Sequence, residues 1–171
     1  ISGGLVGSEM CIRDSYNSRF NDYAPCYYSN KLLFTSSREG GTGKNRNKYT
    51  GDFYSDIYSV DVSSKFSKPV LLSTLINTKA QEADQFISEN ESEIYFTRRE
   101  VASKKNPNPV YNIFYSEKVD EIWLNPKIVE IYNDNKFNMI SPFKYGNKLY
   151  FSSDMNGGYG GYGAYGAYGA Y

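Results

Sequence analysis

Short apolar runs, each opened by a charge and closed toward a hydroxyl, recur along the chain. Lys31-Leu-Leu-Phe-Thr-Ser-Ser37, Glu93-Ile-Tyr-Phe-Thr-Arg-Arg99 and Lys148-Leu-Tyr-Phe-Ser-Ser-Asp154 align without gaps, and the markers Leu32, Ile94 and Leu149 stand 62 and 55 residues apart. Three consecutive apolar positions rich in aliphatic and aromatic side chains predict strands buried on both faces. A second set, Asp56–Asp61 and Asn112–Glu117, follows each of the first two runs after a long polar loop, and Ile57 and Ile113 are 56 residues apart. A third set precedes the runs: Asp22–Tyr28, Glu82–Ile87 and Phe137–Phe143, turning at Ser29-Asn30, Ser88-Glu89-Asn90 and Gly146-Asn147. Asn, Ser and Gly tolerate the tight or left-handed backbone of such turns. A fourth piece, Pro69–Ser73 and Pro126–Glu130, completes four short strands per unit, which is the content of a propeller blade.

The predicted fold is therefore all-β: a partial β-propeller of two to three four-stranded antiparallel blades. The blades are placed at 16–73, 74–130 and 131–162, the last of them partial, between two segments outside the repeat. Residues 1–15 form a non-native or disordered leader, within which Gly7–Ser15 (GSEMCIRDS) resembles a translated library adapter; Cys11 should then carry no chemistry. Residues 163–171 continue a period-3 Gly-Ala-Tyr run with no strand or helix period, a low-complexity tail. A chain that stops inside a repeat is expected to be a fragment whose open edges leave it marginally stable or prone to self-association.

Composition narrows the chemistry. Lys plus Arg and Asp plus Glu are 19 each, so no net field steers the chain to nucleic acid. Tyr (18) and Phe (10) suit half-buried strands. Histidine is absent, which removes the commonest general base and every Ser-His or Cys-His nucleophile pair. Cys11 and Cys26 match no metal-ligand spacing, and Cys26 reads as a small buried apolar residue. No apolar run is long enough for a membrane helix.

Each tempting motif has a plainer reading. Gly40-Gly-Thr-Gly-Lys44 lacks both the early glycine and the hydroxyl after lysine of a phosphate loop, and reads as a loop on one rim. Glu89, Glu91 and Glu93, and Asp120-Glu121, read as solvated turn charges rather than an acid/base pair. No calcium-loop pattern occurs. Trp123 is read as packing between blades rather than as an exposed sugar-stacking ring. No residue is assigned a catalytic, cofactor-binding or metal role, and no cofactor is expected.

Ala24–Arg38 (APCYYSNKLLFTSSR) followed by Gly51–Tyr58 (GDFYSDIY) resembles the WD40-like repeat of the TolB type. The likeness is greatest to propellers joined to OmpA-like domains in Gram-negative envelope proteins, including those of gliding and type IX secretion, and covers about Asn17 to Tyr162. Asn112 stands in place of the usual Asp, Arg98-Arg99 in place of Ser-Arg or Ser-Asp, and Gly163-Ala164-Tyr165 where Asp-Ile/Leu-Tyr is expected, so the third blade is expected to lose its outer strand. The resemblance implies a non-catalytic interaction scaffold of the periplasm or outer membrane, with protein partners meeting loops such as Arg38–Ser55. The alternatives are the accessory propeller of a prolyl-oligopeptidase-like hydrolase and, more weakly, a carbohydrate-binding propeller.

Overall fold

The computed structural model describes residues 16–64, 67–131 and 136–155, and the backbone of 165–168. The leader with Cys11, the segment Gly157–Tyr162 and the rest of the tail lie outside the described residues. The chain is all-β, and its named strands form three antiparallel sheets in sequence order. The first contains β1 (Asp22–Tyr28), β2 (Lys31–Ser36), β3 (Asp56–Asp61) and β4 (Val70–Leu71). The second contains β5 (Gln81–Ile87), β6 (Glu93–Arg99), β7 (Tyr111–Val119), β8 (Ile122–Trp123) and β9 (Lys127–Ile128), with β8 and β9 sharing the outer edge of β7. The third contains β10 (Met139–Tyr145), β11 (Lys148–Ser153) and β12 (Tyr165–Tyr168). Four residues of the Gly-Ala-Tyr tail thus pair with β11 on the edge that β3 and β7 occupy in their sheets.

The first strand of each sheet carries the same irregularity. Pairing slips between Tyr23 and Cys26, between Ala83 and Phe86, and between Ile140 and Phe143. Inside each slip one non-glycine residue is left-handed: Ala24 (φ 51), Asp84 (φ 52) and Ser141 (φ 54). These are β-bulges, which bend a strand and turn one backbone group away from its own ladder. At Asp84 and Ser141 that group finds the preceding sheet. Asp84 N–H donates to Thr35 Oγ1 and Ser141 N–H donates to Thr97 Oγ1, each at 3.1 Å. Thr35 and Thr97 are both buried and hold equivalent places in β2 and β6.

Successive sheets stack on these joints. β5 packs against β1, β2 and β3, and β10 against β5, β6 and β7. One core cluster (Tyr28, Leu33, Ile57, Ile76, Ile87, Ile94, Phe96, Trp123) fills the space between the first and second sheets. Another (Tyr95, Ile113, Met139, Phe151) lies between the second and third. Within each strand neighbours alternate between these layers, as the two-residue strand period requires: Ile94 and Phe96 look back, Tyr95 looks forward. The connection after β4 is fastened by Asn77, whose side-chain amide accepts Ile57 N–H at 2.7 Å and donates to Ile57 O at 2.8 Å, mimicking a strand partner.

Trp123 is 5% exposed, its ring centroid 5.9 Å from that of Tyr28 in the first sheet. A two-residue turn delivers it there, with Asp120 (φ 48) and Glu121 (φ 64) both left-handed as a type I′ hairpin requires. It packs between sheets and offers no stacking face to solvent.

The joints predict an order of sensitivity. Thr35 Oγ1 accepts from Asp84 and donates to Gln85 Oε1 at 2.8 Å, whereas among the described residues Thr97 Oγ1 has only the Ser141 N–H. Thr35→Val should destabilise the chain by about 2–3 kcal/mol and Thr97→Val by about 1–2 kcal/mol, since each strands buried polar groups. Urea unfolding of both variants checks this, and equal or negligible losses would refute the joint.

Candidate functional site

The titratable groups gather at the ends of the first strands, and most are spent on one another. Asp22 is the first residue of β1 and Glu82 the second of β5; each meets an arginine. Arg38 Nη2 is 2.8 Å from Asp22 Oδ1, and Arg98 Nε is 2.9 Å from Glu82 Oε1. Each guanidinium also donates to a backbone carbonyl just before its sheet, Tyr16 O and Ile76 O respectively, both at 2.8 Å. Each lies over a pair of rings, Phe34 and Tyr58 for Arg38, Phe96 and Phe114 for Arg98. Ser18 and Thr78 hydroxyls complete the equivalence by donating to Asp22 Oδ2 and Glu82 Oε1. The sequence reading missed both clusters.

Burial sets the protonation of these acids. Glu82 is fully buried with Oε2 unpartnered, and desolvation pushes its pKa up to about 7 against the pull of Thr78 and Arg98. Asp56 is raised by burial as well, while Tyr58 is pushed up to about 12 by burial and the nearby Asp56 carboxylate. Asp22, more open, lies below the usual carboxylate range: burial opposes, but hydrogen bonds from Ser36, Arg38 and Ser18 together prevail. Glu82 and Arg98 thus form a buried pair in which the carboxyl holds its proton more tightly than a free glutamate does.

The glycine-rich loop has a definite task. Thr42 N–H donates to Asp56 Oδ2 at 2.9 Å, and a Cβ on Gly41 would fall 2.1 Å from that same oxygen. A Cβ on Gly43 would press the Lys79 backbone at 3.3 Å. The loop thus wraps a carboxylate of its own sheet.

The remaining predicted positions fall as follows. Cys26 is half-buried rather than fully buried; it packs on the first core cluster, and desolvation pushes its thiol up to about 11. Glu91 and Glu93 are not idle solvated charges. Glu91 accepts from Ser29 N–H at 2.6 Å and from the Ser29 hydroxyl, tying the turn of the first sheet to that of the second. Glu93 pairs with Lys144 of the third sheet at 2.6 Å. Glu89 is exposed, and Glu121 pairs with Lys118, whose ammonium also donates to Tyr28 OH at 2.7 Å. Among the described residues no group of His, Cys, Asp and Glu is arranged to hold a metal ion. No helix among them is long and apolar enough to cross a membrane.

Two surface features stand out among the described residues. A hollow of about 430 Å³ lies where the three first strands converge, lined by Tyr23, Ala83 and Ile140 at equivalent bulge positions and by Asp84, Thr97 and Tyr111. The second is the loop between β2 and β3, which is itself a small hairpin. Asn47 N–H donates to Asp52 O, Gly51 N–H to Asn47 O and Tyr54 N–H to Asn45 O. Arg46 donates to Gly51 O at 2.7 Å and stacks on Phe53 at 3.8 Å, and Gly51 supplies the left-handed corner (φ 77). At the tip, Tyr49 is 99% exposed.

Glu82 makes stability depend on pH. Its carboxyl ionises near its ordinary 4.5 when unfolded and near 7 when folded. Between those values the folded chain holds the extra proton, so stability falls as pH rises from 4.5 to 7 and then levels. Glu82→Gln should flatten that limb, read from urea midpoints at pH 5 and pH 8; an unchanged slope would refute the assignment. Gly41→Ala, forcing Asp56 aside, should cost about 1–3 kcal/mol in the same measurement.

Comparison with known proteins finds no matching family model, no similar curated protein and no similar solved structure.

Proposed function

We propose that the chain is a non-catalytic protein-interaction scaffold whose three sheets are successive blades of a β-propeller. The observation that carries the scaffold reading is the hairpin between β2 and β3. A side chain as large as tyrosine is held at 99% exposure by a loop that is itself hydrogen-bonded and ring-stacked. An ordered loop loses little entropy on association, and tyrosine contributes large contact area from a rigid side chain. Lys44, Arg46 and Lys48 are exposed beside it, giving the tip a basic rim suited to an acidic protein surface.

The blade reading is supported by the up-and-down order of each sheet, the convergence of the three first strands on one hollow, and the repeated bulge. The likeness of Ala24–Arg38 and Gly51–Tyr58 to TolB-type repeats supports a periplasmic or outer-membrane setting. The use of Arg38, Arg98, Asp22 and Glu82 in structural pairs supports a role without chemistry.

A photo-crosslinking residue in place of Tyr49, introduced in the native host, should give a discrete protein adduct. The same residue at exposed Lys104 in the corresponding loop of the second sheet should not, and Gly51→Val, which disrupts the hairpin corner, should abolish the adduct at 49. Identical adducts at both positions, or none at 49, would overturn the scaffold reading.

A further inference from the structure

The two joints inside the molecule define what one sheet presents to the next. At the first joint Cys26, Tyr28, Leu33 and Thr35 of the first sheet meet the second sheet. At the next, Phe86, Tyr95 and Thr97 of the second sheet meet the third. Strand register assigns the equivalent positions in the third sheet. Phe143 lies opposite Tyr150 as Cys26 does opposite Leu33 and Phe86 opposite Tyr95, and Tyr145 lies opposite Lys148 as Tyr28 does opposite Lys31. Ser152 follows Phe151 as Thr35 follows Phe34 and Thr97 follows Phe96.

Exposure separates the equivalents. Tyr28 is 5% exposed, but Tyr145 in its place is 66% exposed, and Phe143, whose ring meets that of Phe86 edge-on at 4.9 Å, is still 50% exposed. Among the described residues no backbone N–H reaches the Ser152 hydroxyl. Two large aromatic side chains beside a hydroxyl acceptor form one half of a joint.

The first sheet presents the other half. Ala24 has the left-handed bulge geometry of Asp84 and Ser141, and it is followed by Pro25 as Ser141 is by Pro142. Among the described residues no hydroxyl of another sheet accepts its N–H. Beside it a groove of about 120 Å³ is lined by Tyr16, Asp22, Pro25, Leu32 and Phe34.

We infer that the third sheet docks the first sheet of a second copy of this chain, head to tail, with Ala24 N–H donating to Ser152 Oγ and Phe143 and Tyr145 buried in the contact. The two surfaces differ, so the association is heterologous and continues from copy to copy into a ring or an open array. The inference needs only the sheet-to-sheet joint; it depends neither on ring closure nor on the partner at Tyr49.

Sedimentation velocity on the whole chain tests it. The mean mass should rise with concentration between about 1 and 100 μM, the range of modest specific affinity. Phe143→Glu/Tyr145→Glu blocks one surface and Pro25→Glu the other, all at exposed positions. Each variant alone should stay monomeric with an unchanged far-UV circular dichroism spectrum. An equimolar mixture should give a dimer and nothing larger, since only one productive pair of surfaces remains. The milder Tyr145→Ser should weaken association about tenfold. A monomeric parent chain, self-association of either blocked variant, or a mixture that stays monomeric would overturn the proposal.

Discussion

The hydrogen bond from a left-handed bulge residue to a threonine hydroxyl on the preceding sheet is the constraint from which the rest of the structure follows. A non-glycine residue at φ near 50° costs on the order of 1–3 kcal/mol, and a residue before proline is disfavoured there as well. Asp84 and Ser141 hold that conformation because the bulge points an N–H out of its own ladder toward Thr35 or Thr97. With the N–H fixed, the first strand of one sheet crosses the preceding sheet at a set height. That height decides which side chains face each other: Ile94 and Phe96 toward Leu33 and Ile57, Phe151 and Met139 toward Tyr95 and Ile113.

Much of this was legible in the chain, and the reason is local. The charge-apolar-apolar-Phe-hydroxyl runs have one reading as strands, and β2, β6 and β11 lie on them. In the first two runs the hydroxyl after Phe, Thr35 or Thr97, is the acceptor of the joint. The bulges were illegible because Ala24, Asp84 and Ser141 share no chemistry that favours positive φ, and two of them precede proline. What holds Asp84 and Ser141 is a threonine 49 or 44 residues away, a tertiary term no local propensity contains.

The arginine clusters were hidden by a change of register. Asp22 and Glu82, Tyr16 and Ile76, Arg38 and Arg98 are all 60 residues apart, yet Leu32 and Ile94 are 62 apart. The turn of the second sheet is two residues longer, so in strand alignment Arg98 falls opposite the place of Ser36 rather than Arg38. The side chains restore what the backbone displaces: both guanidinium groups reach an acid, a preceding carbonyl and two rings. The turn carboxylates were misjudged for a related reason. Glu91 and Glu93 look solvated when only their own turn is considered, but the stacking brings Ser29 and Lys144 to them from adjacent sheets.

This arrangement makes cohesion a nearest-neighbour property. The second sheet is held on both sides, by Thr35 and the first core cluster on one and by Thr97 and the second cluster on the other. On the far face of the first sheet Tyr16 and the Arg38 guanidinium cover Phe34, Tyr58 and Val60, while Pro25 and Tyr27 of β1 stay exposed. The third sheet has the joint to Thr97 and the Lys144–Glu93 pair, and its own forward aromatic residues, Phe143 and Tyr145, remain half or more exposed. In a stacked array the free energy of opening a terminal unit is its own stability plus one interface. Among the described residues the third sheet therefore relies on one interface, formed by Thr97, the Lys144–Glu93 pair and the second core cluster.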